Sequence, residues 1–213
     1  MVTACGPPCS TTASGTAVGA RMEPFRRTRG GGVRAGLAPT EASLLRSLVG
    51  QVMTLIAPEG PEPPPGAPGE PGWEDIAALE ALLHEPVGES PQAPEDPVLA
   101  RLLPDGYRDD PDAAGEFRRY TESSLRSAKQ QAAQEMLDTL PEAGGKIQLT
   151  HDQAHAWLKA LNDVRLALGV RLSVTEDFEE QWGQLRADDP QWAAYEVYAW
   201  LGAVQESLVQ ALA

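Results

Sequence analysis

The sequence predicts a mainly α fold: a single helical domain with a small two- or three-stranded β element. Two observations predict it. Long stretches repeat apolar residues at the 3.6-residue spacing of a helix, whereas the extended stretches are few and short. Of the 213 residues, 42% are hydrophobic, enough for a core. The organisation read from composition is a flexible Cys-containing tail over 1–21 and a helical domain over 22–213. A Pro/Gly-rich loop at 58–72 interrupts that domain.

The tail is rich in Gly, Pro and Thr and shows no periodicity. Glu23–Arg29 and Val33–Leu37 look extended, with Gly30-Gly31-Gly32 between them as a hairpin turn. Thr40 reads as the N-cap of a helix whose inward face is Leu44, Leu45, Leu48, Val49, Val52, Met53 and Ile56. Pro58–Gly72 holds seven Pro and four Gly, a density that excludes regular structure. Trp73–His84 reads as a short helix, and Val98–Leu103 as a helical turn ended by Pro104.

Pro111–Leu140 is the longest helix expected, with Asp110 as its cap and Pro111 at its first position. Lys146–Leu149 reads as a strand. Thr150 and Gln153 form a capping box for a helix to about Leu168, where Gly169 is a natural C-cap. Val170–Val174 then looks extended. Thr175 would cap a short helix ending near Asp188, and Pro190 opens the last helix. Trp157, Trp192 and Trp200 fall on helices and read as core. No heptad series appears, and the sequence specifies no oligomeric state.

Charge narrows the function classes. The net charge is −14, so the surface as a whole repels phosphate backbones, and any DNA contact must be local. Residues 1–56 nevertheless carry net +4, while 57–116 carry −13. The N-terminal excess is Arg21, Arg26, Arg27, Arg29, Arg34 and Arg46, an asymmetry that can mark an interaction arm. No apolar run reaches membrane-spanning length. Met1-Val2-Thr3-Ala4 lacks the features of a secretory signal, so a cytoplasmic location is expected, where thiols stay reduced.

Three groups of residues invite a chemical reading. Cys5 and Cys9 are the chain's two cysteines, with Gly6-Pro7-Pro8 between them. A disulfide closing so small a loop constrains the chain by only about 2 kcal/mol. It would not staple the fold, so its use would be sensing oxidation. On the residues alone, two idle thiols in a tail stand beside that reading, as does a start at Met22 that omits both. Arg118, Arg119, Arg126 and Lys129 share one arc of the long helix, a stripe able to meet phosphates or an acidic partner. Glu122 lies in the same arc, which favours intrahelical salt bridges. His151 and His155 stand at i, i+4, but with Asp152 between them and no third ligand they read as surface histidines. No nucleophile elbow, phosphate loop or dinucleotide fingerprint occurs, so no enzyme activity, cofactor or metal is expected.

Three further stretches are distinctive: Leu103-Pro104-Asp105-Gly106-Tyr107-Arg108-Asp109-Asp110-Pro111, Glu116-Phe117-Arg118-Arg119-Tyr120-Thr121-Glu122 with Leu125-Arg126, and Trp157 through Leu172. In these the chain resembles the actinobacterial oxidative-stress-responsive transcriptional regulator (AosR) family, formerly a domain-of-unknown-function family. The resemblance covers Glu23 to the C-terminus. It implies a cytoplasmic, redox-responsive transcriptional regulator that forms a disulfide within a C-x-x-x-C motif, which only Cys5 and Cys9 match here. It further implies that the oxidised form acts with a stress-type RNA polymerase sigma factor on promoter DNA, including cysteine-biosynthesis genes. It supplies no DNA-contacting residues. Arg26, Arg27, Arg29, Arg118, Arg119 and Arg126 are the candidates for DNA or partner contact. The competing reading is a non-sensing helical protein–protein adaptor with an incidental cysteine tail.

Overall fold

The computed structural model describes residues 22–57, 92–186 and 188–213. The tail, the 58–72 loop and the helix expected at Trp73–His84 lie outside the described residues.

The hairpin forms as expected, with β1 at Glu23–Arg27 and β2 at Val33–Leu37. Thr28 closes its turn, accepting from the Gly31 N–H and donating its own N–H to the Gly32 carbonyl at 2.8 Å. β1 therefore stops at Arg27, two residues short of expectation. β3, Gly145–Leu149, pairs antiparallel with β2, giving the order β1-β2-β3. Alternation turns Phe25, Val33, Ala35, Leu37, Ile147 and Leu149 inward, where all are buried.

Helix α1 runs Pro39–Leu55. Its N-cap is Ala38, not Thr40. The Glu41 carboxylate reaches back to accept from the Ala38 N–H at 2.7 Å and from the Met22 N–H at 3.1 Å. The cap function thus comes from a buried glutamate inside the first turn. Helix α2 is Pro97–Leu102, capped by Asp96. Helix α3, Pro111–Thr139, is capped by Asp110 as expected, whose side chain accepts from the Ala113 N–H at 3.0 Å.

Helix α4 begins at His151 behind the Thr150–Gln153 capping box and continues to Arg171. Gly169 is therefore inside the helix, and Val170–Val174 is not extended. A Cβ at Gly169 would touch the Tyr198 ring at 3.4 Å, so the glycine serves helix–helix approach instead of a cap. The left-handed residue that ends the helix is Ser173, at φ 52°. Helix α5 spans Phe178–Gln184 with Asp177, not Thr175, at its N-cap, and ends before Asp188. Helix α6 is Pro190–Leu212.

Sheet and helices meet in one continuous core. Trp157, Leu161 and Val164 of α4 pack with Leu201, Val204 and Leu208 of α6, Leu45 and Val49 of α1, and Met136 of α3. The inner sheet face closes it from one side. The N-terminal half of α3, by contrast, buries only Ala114, Gly115 and Arg118. Among the described residues, no helix is long and apolar enough to cross a membrane.

Candidate functional site

The sheet has a second face, turned to solvent. Arg26, Arg34, Lys146 and Gln148 are all exposed. Register places Arg26 opposite Arg34, Arg34 opposite Gln148, and Lys146 opposite Gly36. Arg27 ends β1 and Arg29 sits in the turn, both exposed. The candidates Arg26, Arg27 and Arg29 are thus gathered at one end of the sheet. Arg34, of the same basic N-terminal segment, joins them, as does Lys146, which the sequence had not singled out for contact. Alternation along Val33–Leu37 and Gly145–Leu149 would have put both outside, but only the β2–β3 register puts them together.

The stripe on α3 has a different character. Arg118 is buried and reaches Asp105 and Glu122, with the Glu122 pair at 2.9 Å. It also donates to the Leu103 carbonyl at 3.4 Å. Arg126 pairs with the same Glu122 at 2.7 Å and donates to the carbonyls of Ile56 and Ala57 at the end of α1. Burial lowers and the hydrogen bonds to Glu122 and Asp105 raise the Arg118 value, with a net increase. Lys129 reaches across to buried Asp163 at 2.6 Å. The expected intrahelical pairing is therefore present, and it extends into a network that ties α1, the α2–α3 connection and α4 to α3. Arg119 is exposed on the same helix.

This network holds an exposed aromatic surface. Tyr107 packs edge-on against Phe117, with centroids 5.8 Å apart, and Tyr120 is 77% exposed beside them. A Cβ at Gly106 would strike the Phe117 ring at 2.7 Å, so the glycine lets the loop lie against that ring. These residues belong to the distinctive motifs of the sequence.

His151 and His155 stand with ring centroids 4.5 Å apart at the start of α4. Among the described residues, no group of three His, Cys, Asp or Glu side chains is placed to hold a metal ion. Cys5 and Cys9 lie outside the described residues.

A family model described as a domain of unknown function, DUF2017, matches residues 22–212. The oxidative stress regulator AosR of Mycobacterium tuberculosis is 36% identical, over 100% of this chain and 98% of that protein. The same figures hold for the oxidative stress regulator AosR of Mycobacterium bovis. A putative oxidative stress regulator AosR of Mycobacterium leprae is 36% identical over 84% of this chain and 82% of that protein. No solved structure matches the chain.

Proposed function

The chain belongs to the DUF2017 family, and from that membership and its full-length relatives we propose that it regulates the response to oxidative stress. One observation carries the reading: the alignment to proteins of that name spans the whole chain, the cysteine-bearing segment included. The regulator is redox-responsive and acts in transcription. It senses oxidation by an intramolecular disulfide between Cys5 and Cys9, works with a stress-type sigma factor at promoters that include cysteine-biosynthesis genes, and is not an enzyme.

The chemistry balances without a cofactor. Two thiols lose two protons and two electrons and form one S–S bond, while hydrogen peroxide accepts them and leaves as two waters. The cytoplasm suits this role, because its thiol pool reopens a disulfide that closes so small a loop. The α3 aromatic surface supports contact with a protein partner, since exposed Tyr and Phe are the residues that anchor interfaces. That surface serves the adaptor reading equally well, so the cysteines must discriminate. Peroxide treatment of reduced protein is expected to lower the intact mass by two hydrogens, with peptide mapping placing the link between Cys5 and Cys9. Protein that stays reduced under peroxide, or that links only between molecules, favours the adaptor.

A further inference from the structure

We propose that the outer face of the sheet binds the phosphate backbone of duplex DNA, through Arg26, Arg34 and Lys146, with Arg29 in the turn at its hairpin end. The proposal rests on the promoter half of the regulator reading and supplies its contact surface.

The first observation is an arrangement that costs stability. Arg26 and Arg34 are direct cross-strand partners. Like charges directly opposite one another weaken a sheet. Neither is relieved from within: among the described residues, no carboxylate lies within salt-bridge distance of Arg26, Arg27, Arg29, Arg34 or Lys146. The cations Arg118, Arg126, Lys129 and Arg186 all have one. Glu23, the lone carboxylate of the three strands, stands opposite Gly36 at the end of the sheet away from the hairpin turn, its side chain lying over that central-strand glycine, whose other partner is Lys146. A ligand with closely spaced negative charges would supply the missing counter-charge.

The second observation is what this face lacks. Phe25 and the aliphatic residues all turn inward. Among the described residues, the exposed large hydrophobic ones, Tyr107, Phe117, Tyr120, Leu125 and Val209, belong to other elements. A protein partner normally finds an apolar or aromatic anchor at the centre of its interface. A single-stranded nucleic acid normally finds aromatic rings to stack on. A charged, flat face without either suits the outside of a duplex, where binding is by phosphate contact.

The third observation is scale. Arg26, Arg34 and Gln148 stand in line across three strands about 4.8 Å apart. Lys146 lies two residues along β3 from Gln148, about 7 Å away. The rest of a chain of net charge −14 repels DNA, so this face also sets how a duplex would approach.

The test uses the full, reduced chain and a fluorescent 20-base-pair DNA duplex of arbitrary sequence, read by anisotropy. Three phosphate contacts predict an affinity that falls about 40-fold between 50 and 200 mM salt. Arg34→Thr should reduce that fall to about 12-fold, with a thermal midpoint unchanged or raised by relief of the Arg26–Arg34 repulsion. Lys146→Glu should also weaken binding. Arg171→Glu, at the far end of α4, should bind as the parent does. The proposal is overturned if the parent does not bind, or if Arg34→Thr and Lys146→Glu bind with the parent's affinity and salt dependence. It is also overturned if a polyglutamate peptide displaces the duplex at equal charge concentration, which would make the ligand an acidic protein segment. Because every sample is reduced, these outcomes are separate from the formation of the Cys5–Cys9 disulfide.

Discussion

Replacing Trp157 with alanine is expected to cost about 3–5 kcal/mol of folding stability. The indole is fully buried at the point where the sheet, α3 and α4 meet. Its edge meets the Phe25 ring at 5.8 Å, and its Nε1 donates to Thr139 Oγ1 at 2.7 Å. Alanine removes the largest side chain of the core, leaves a cavity, and strips Thr139 of its donor. For a chain of this length the loss corresponds to a melting temperature lower by about 6–20 °C. Trp157→Phe keeps the ring contact but not the hydrogen bond, so it should fall between parent and alanine. A thermal melt of the three proteins checks the order. Equal midpoints for Trp157→Ala and the parent would mean that the core is not organised around this residue.

The second large effect concerns Lys129. Its ammonium is the counter-charge of Asp163, which is buried between α3 and α4. Burial pushes the Asp163 carboxyl above the usual aspartate value, and Lys129 offsets only part of that. Lys129→Met leaves the carboxylate buried and unpaired, at a cost of about 3–5 kcal/mol near neutral pH. The sign of the pH dependence follows. A folded value above the unfolded one means that the native state binds the proton more tightly. Stability then declines as pH rises through the range between the two values. The Lys129→Met deficit should therefore be larger near pH 7.5 than near pH 5, and Asp163→Asn should restore much of it in the double variant. Glu122 works in the opposite sense. Burial raises its value, but Arg118 and Arg126 outweigh that and hold it below the usual glutamate range. Its contribution is complete above the unfolded value and is lost as pH falls through the folded one. Urea denaturation at the two pH values reads the Lys129 effect, whereas the Glu122 loss lies below both. A Lys129→Met deficit that does not change with pH would contradict the assignment to Asp163.

What the sequence disclosed, and what it withheld, follows the range of the interactions. Asp110, Thr150 with Gln153, and Pro190 act within one turn of themselves, and each helix start they mark is where they place it. Gly169 misled because its role is set by Tyr198 on another helix, and Thr40 because Glu41 supplies the cap from inside the turn. The same holds for the sites. The Arg118–Glu122–Arg126 ladder is legible from i, i+4 spacing, but its anchors at Asp105, Ile56 and Ala57 are not. Arg26, Arg27 and Arg29 stand out as a local cluster. Arg34 meets Arg26 across the predicted hairpin, but Lys146 joins them only through the β2–β3 register, which local pattern cannot supply.

On the proposed function, oxidation of Cys5 and Cys9 changes what this regulator binds and not how stably it folds. The most direct measurement is the affinity for a stress-type sigma factor of the oxidised parent, the reduced parent, and the Cys5→Ser and Cys9→Ser variants under peroxide. The oxidised parent is expected to bind more tightly than the other three, by about 5–150-fold as is usual for coupled sites, with one melting curve shared by all. Equal affinity across the four samples would contradict it.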